Sequence, residues 1–239
     1  MFAILYTLVL THITMMFVVV YIHRGISHAT IQFSPVFDHF IRLWLWLTDG
    51  VNIRDWAITH RLHHAHTDQP GDPHSPYLEG IVKIAWTNLL YTLVHRYRAN
   101  YSQWTINHYG QGITCDWMET HVYQPYQRLG VFVMLTINIL LFGFGVGLGI
   151  WLVQMIWTPF WTNSIVTGFC HWRIGYPHPD SQDRSKNLPF LGLFLIGDEL
   201  HSNHHARPMD PCLRKYWWEF DLGWVYIRLF ERLRLLTIL

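Results

Sequence analysis

The chain has 239 residues, 51% of them hydrophobic and 14% charged, with 13 Trp and a net charge of +1. A soluble domain carries roughly 25% charged residues, so the composition points to a membrane protein and gives no electrostatic footprint for nucleic acid. The three cysteines, Cys115, Cys170 and Cys212, have no paired spacing, which excludes a disulfide framework and a thiolate zinc site.

Residues 2–22 form an uncharged apolar run, about the length that crosses roughly 30 Å of hydrocarbon as a helix. A cleaved signal peptide does not fit, because the run lacks a basic start and a small-residue cleavage site. His12 lies inside the run and reads as a packed or hydrogen-bonded side chain. His23 and His28 follow at its end, a His-x4-His pair that is weak by itself. Residues 36–51 are apolar but short and carry Asp38, Arg42 and Asp49, the pattern of a helix lying at the interface.

Next comes His60-Arg61-Leu62-His63-His64. On a helix, positions i, i+3 and i+4 share a face, so this box is expected to aim three imidazoles at a common point. Residues 69–76, with three prolines and a glycine, read as a set of turns. Residues 81–95 read as an amphipathic helix too short for a clear span, and 99–128 as a loop-rich cap.

Residues 129–172 contain no Asp, Glu, Lys or Arg. They are long enough for two crossings joined near Gly143, Gly145, Gly147 and Gly149. Those glycines lie inside an apolar run without a preceding strand, so a tight turn or close helix packing is expected rather than a nucleotide loop. A second box, His201-Ser202-Asn203-His204-His205, repeats the spacing of the first. The stretch Tyr216–Leu239 has the composition of an amphipathic helix on a membrane surface.

All 17 Lys and Arg fall in residues 23–128 or 173–239. With one crossing at 2–22 and two in 129–172, both charged regions share one side, the cytoplasm by the positive-inside rule. Any crossing by 36–51 or 81–95 would separate the histidine groups. The reading is an all-α integral membrane protein and a single domain, 1–239. It has three spans and a cytoplasmic helical cap, 23–128 and 173–239, that holds a histidine-rich di-metal site.

With 17 His in 239 residues, about 0.1 His-x-x-His-His boxes are expected by chance, and there are two. His23, His28, His60, His63, His64, His201, His204 and His205 gather on the cytoplasmic face, with His171 at the end of the last span. A structural zinc ion takes four ligands, so eight or nine imidazoles suit two ions. Imidazole alone does not choose among iron, copper, zinc and nickel. Asp55, Asp198 and Glu199 are either acceptors that orient ligand imidazoles or solvated charges.

The order His-x4-His, His-x-x-His-His, His-x-x-His-His resembles the membrane fatty acid desaturases, most nearly the acyl-CoA Δ9-desaturase type. The likeness extends to Asp72-Pro73-His74-Ser75-Pro76, to Gly197-Asp198-Glu199-Leu200 before the second box, and to Trp218-Glu219-Phe220-Asp221-Leu222-Gly223-Trp224. It implies two iron ions held by the three histidine groups plus a ninth histidine, matching His171, with O2 as co-substrate. In animal members an asparagine four residues before that histidine supports a metal-bound water; this chain has Thr167 there. The family has four spans, against three here.

The implied reaction places a cis double bond, at Δ9, in a saturated acyl chain carried on CoA or lipid. The chain would be held in a narrow apolar tunnel, which Trp44-Leu45-Trp46-Leu47 would either line or leave for lipid. No flavin or haem module is visible, so a separate ferredoxin-, flavodoxin- or cytochrome b5-type donor with its reductase is implied. Two other classes fit the same histidines: a related di-iron hydroxylase or ketolase, and a membrane metal carrier or sensor. Product analysis separates the first, and ligands strung along a transmembrane path would mark the second.

Overall fold

A computed structural model describes residues 1–84, 86, 101–113, 115–171, 173–188 and 190–239. Its frame is a set of apolar helices. Helix α1 (Phe2–Phe17) passes without interruption into a π-wound segment, Val18–Ser27, in which hydrogen bonds close over one extra residue. Helix α2 (Pro35–Thr48) starts with a proline at its first position, and α3 (Ile53–His66) is capped by Asn52, whose side chain accepts the Asp55 N–H at 3.0 Å. Helix α4 covers Gln103–Tyr109. Helices α5 (Gln127–Phe142) and α6 (Phe144–Pro159) meet at Gly143, where a φ of 79° suits glycine, and α6 continues as a π-wound segment, Phe160–Phe169. Helix α7 (His201–Ala206) and helix α8 (Leu222–Arg232) follow.

Among the described residues two continuous helices, Phe2–Ser27 and Phe144–Phe169, are long and apolar enough to cross a membrane, each with 26 residues. Their exposed side chains are apolar where they are not packed: Leu5, Leu8 and Val9 on the first, Leu152, Val153 and Ile156 on the second. Helix α5 has 16 residues, about 24 Å of rise, and shows the same apolar exterior at Phe132 and Leu140. The glycine-rich stretch is a helix contact: a Cβ at Gly147 would lie 2.6 Å from the Asn138 carbonyl and the Ile139 Cα. His12 is hydrogen-bonded, its Nε2 lying 2.7 Å from the Tyr226 hydroxyl.

The core forms where α1, its π-wound end, α2 and α8 meet, around Phe17, Val20, Ile22, Ile41, Leu45 and Ile227. Trp44 and Leu45 pack into this core, the Trp44 Nε1–H donating to Thr14 at 3.1 Å. Trp46 donates to the Tyr126 carbonyl at 3.0 Å. These side chains join helices and do not line the cavity beside the histidines described below.

Three sequence expectations change. The C-terminal stretch is helical only over Leu222–Arg232; Arg234, at φ 58°, turns the chain. A strand β2 (Leu236–Ile238) then pairs antiparallel with β1 (Ile31–Phe33), Ile31 facing Ile238. This pair buries Ile31 and Leu236, a long-range contact that helical periodicity does not encode. The all-α architecture therefore carries a two-stranded sheet.

The stretch 99–128 is also more ordered than its aperiodic sequence implies. It contains α4 and a π-wound turn, Glu119–Tyr123. Buried Arg42 holds that turn: its guanidinium pairs with Asp38 at 2.9 Å, with Asp116, and with Glu119 at 3.5 Å. Of the helix expected at 81–95, residues 81–84 and 86 are helical and the remainder lies outside the described residues.

Gly147→Val should force α5 and α6 apart and destabilise the protein by about 1–3 kcal/mol. Gly145→Ala, where a Cβ meets nothing within 4 Å, should leave the melting temperature of the detergent-solubilised protein unchanged. Equal melting temperatures for both variants would contradict the packing described.

Candidate metal centre

Each histidine group is positioned by a different local device. His23 and His28 lie about 140° apart on an ordinary α-helix, at about 100° per residue. The π-winding of Val18–Ser27 adds a residue per turn and brings both rings to one side, 5.3 Å between centroids. The convergence of these two histidines thus depends on a departure from α-helical geometry. Helix α3 carries His60, His63 and His64, and α7 carries His201, His204 and His205. His171 stands just beyond the π-wound end of the second long helix.

All nine predicted histidines come together, in two groups. His23, His28, His60, His64 and His204 form one; His63, His171, His201 and His205 form the other, each group with ring nitrogens within 4.8 Å of one another. This corrects the expectation that each box aims at one point. Positions i, i+3 and i+4 fan over about 100° of helix surface, wide enough to serve two centres. Helix α3 sends its first and third histidines to one group and its second to the other, and α7 does the reverse.

The orientation is uniform. The Nε2 atoms face inward: His28 and His60 approach to 2.8 Å, His64 and His204 to 2.9 Å, and His171 and His201 to 2.8 Å. The Nδ1 atoms of four rings face aspartates. His23 donates to Asp198 at 2.9 Å, His63 to Asp72 at 3.0 Å, His171 to Asp68 at 3.2 Å and His205 to Asp183 at 2.7 Å. A carboxylate accepts only, so in each pair the proton sits on Nδ1 and the Nε2 lone pair points into the cluster.

Among the described residues the Nε2 atoms of His63 and His205 are buried with no partner. Burial first, and repulsion from neighbouring imidazoles second, pushes His60, His63, His201, His204 and His205 well below the ordinary histidine range and His64 down to about 3. Inward-facing lone pairs on neutral rings leave a deficit of positive charge that a cation would fill. The donor set fits transition-metal ions.

Of the other predicted residues, Asp198 meets a histidine, whereas Asp55 sits in the first turn of α3, where a carboxylate opposes the positive helix end. Glu199 is buried and accepts the Gly197 N–H at 3.1 Å, and burial raises its carboxyl to about 8. Thr167 lines a cavity of about 40 Å³ between the groups, bounded by His23 and His60 from one and His63 and His201 from the other, with Trp56, Thr162 and Val166. Sequence reading missed Asp68, Asp72 and Asp183. Asp72 lay within the recognised Asp-Pro-His stretch, but Asp183 reaches His205 across a loop that no short motif marks.

The residues between the histidines lock the boxes in place. Arg24 is buried and pairs with Asp221 through both Nη atoms at 2.9 Å, tying the first histidine group to the cap of α8. Arg61 donates to the carbonyls of Ile26 and Ser27 at 2.8 and 2.7 Å, fixing α3 to the end of the π-wound segment. Asn203 bonds Asn187, the Leu213 carbonyl and Glu219, which in turn accepts from Tyr176 at 2.8 Å.

Residues 1–231 match the fatty acid desaturase family. The chain is 28% identical over 218 residues to the sn-1 stearoyl-lipid 9-desaturase of Anabaena variabilis, covering 90% of this chain and 75% of that protein. It is 26% identical over 225 residues to Delta-9 acyl-lipid desaturase 1 of Arabidopsis thaliana, covering 90% and 68%. It is also 29% identical over 220 residues to an acyl-CoA 5-desaturase of Anemone leveillei, covering 90% and 64%.

Asp183→Asn and Asp72→Asn should each weaken metal binding at the four-histidine group by about 10- to 100-fold, because the ring they orient loses its anchor. Chelator competition on the purified protein reads this. Unchanged affinity in both variants would remove the aspartates from the site.

Proposed function

The chain belongs to the fatty acid desaturase family, a family of O2-dependent oxidoreductases, and we propose that it forms a cis double bond at the Δ9 position of a saturated acyl chain. The observation that carries this reading is the division of nine inward-facing imidazoles into groups of five and four beside one shared cavity. In this reading the group of His23, His28, His60, His64 and His204 holds one iron ion, and the group of His63, His171, His201 and His205 holds the other. Paired iron supplies the O2 chemistry that breaks unactivated C–H bonds. The balance is a –CH2–CH2– unit, one O2, two electrons and two protons giving –CH=CH– and two waters.

The residues of the chain bind and orient. Asp68, Asp72, Asp183 and Asp198 keep four imidazoles in the tautomer that presents Nε2 inward. Trp56 and Val166 add apolar surface to the cavity wall beside the histidines. Two relatives named for 9-desaturation of lipid-linked chains support the position and an acyl-lipid or acyl-CoA substrate, and one named for 5-desaturation makes position the point to test. Electrons come from a separate donor.

The family is membrane-bound, and we read three crossings, by α1, α5 and α6, with the histidines on the cytoplasmic side. In support, Phe2 at the start of α1 packs against Phe142 at the end of α5, 5.7 Å between ring centroids, at the end of the helices away from the histidines. All 17 Lys and Arg fall outside 1–22 and 129–172. A metal carrier would string its ligands along the spans, whereas here they gather at one end.

Expression in a host supplied with saturated acyl chains should give a new cis-Δ9 monoene by gas chromatography and mass spectrometry. Hydroxylated chains alone, or a double bond elsewhere, would overturn the assignment. The purified protein should hold two iron ions. His64→Ala should lose the ion of the five-histidine group and His205→Ala the other, each leaving about one ion and background activity. Either variant keeping both ions would contradict the ligand sets.

A further inference from the structure

One more imidazole borders the cavity without belonging to either histidine group. His74 is 5% exposed, and its backbone N–H donates to Asp72 Oδ1 at 3.0 Å, within the same turn that anchors His63. Its ring lies 4.4 Å from the His63 ring, tilted by 33°. It lines the cavity together with Thr162 and Thr167. Its Nδ1 is buried and has no hydrogen-bond partner among the described residues.

An imidazole nitrogen has either a proton to give or a lone pair to accept with, so a buried one without a partner leaves an interaction unmade. The group that contains His63 has four imidazoles against five in its neighbour. The cavity beside it has room for a water or a small anion. Backbone, ring stacking and cavity wall together hold His74 where such a ligand would meet it.

We propose that His74 is a positioning residue of the site, its Nδ1 hydrogen-bonding the water or small anion that occupies the cavity beside the four-histidine group. The inference rests on the two-metal reading above and adds a protein contact on the open side of one centre. His74 also stands with His63 and Asp72, their nitrogen and oxygen atoms within 4.8 Å of one another, and the inference gives it the role of orienting what enters rather than that of a tenth ligand.

The test uses Co2+ in place of iron, with azide as the small anion and visible absorption as the readout. His74→Phe keeps a ring against His63 and removes the nitrogen. It should retain two Co2+ per chain and weaken azide binding by at least about fivefold, with a shifted spectrum of the azide complex. His74→Leu should weaken azide equally. His74→Asn, whose amide group sits near the place of Nδ1, should restore affinity to within about twofold. Unchanged azide affinity in the Phe and Leu variants would overturn the inference. Loss of one Co2+ from both would overturn it as well, since His74 would then support the ion itself. A wild-type protein holding fewer than two Co2+ would instead defeat the two-metal reading, and the inference would fall with it.

Discussion

Imidazoles packed this closely can share a centre only where the rings are neutral and turn the same nitrogen inward. Burial enforces the first condition, since charging several of these rings inside one apolar shell is prohibitively costly. Four aspartates enforce the second for His23, His63, His171 and His205. These aspartates come from the turns after α3, from the loop before α7 and from the residues just ahead of the second box. The centre therefore cannot form until most of the chain has folded around it. Its geometry belongs to the tertiary structure as a whole.

The non-histidine residues of the boxes follow from the same requirement. Arg24, next to His23, binds Asp221, which also caps α8 and accepts the Leu213 N–H at 2.8 Å. A Cβ on Gly223 would lie 2.7 Å from the Arg24 guanidinium, so the close approach of these elements demands glycine there. A buried pair of this kind contributes little net stability but is costly to break on one side, about 3–5 kcal/mol, which suits a part that must not shift. Arg61 does the corresponding work between α3 and the π-wound segment, satisfying carbonyls that the end of that helix leaves open. Short polar runs around metal boxes are thus positional, each residue fixing one helix against another.

The apolar helices decide where this centre sits. The long helix that begins at Phe2 ends among the histidines, and the one that begins at Phe144 ends just before His171. Both become π-wound over their last ten residues, and in the first the change aligns His23 with His28. A desaturase needs its reacting carbons held beside the metals while the rest of the chain stays in an apolar environment. A cavity bounded by both histidine groups and by Trp56 and Val166 lies at the end of these helices, where the histidines meet apolar side chains.

Much of this was legible in residue order. Apolar length marked the helices at 2–22 and 129–172, the glycines at 143–149 read as a tight turn or helix packing, and two repeated boxes marked the histidines, because these signals are local and periodic. The family could be recognised from the same spacings, and with it oxygen-dependent desaturation. Spacing could not show that each box divides its imidazoles between two centres, because that depends on how helices α3 and α7 face each other. Nor could it show that Asp68, Asp72 and Asp183 orient the rings, that Arg42 orders residues 116–123, or that Leu236–Ile238 pairs with Ile31–Phe33. Each of these is a contact between residues far apart in the chain or across a turn, made by side chains that carry no periodic signature. Sequence determined which imidazoles are available to hold a metal, and tertiary structure decided which of them stand together.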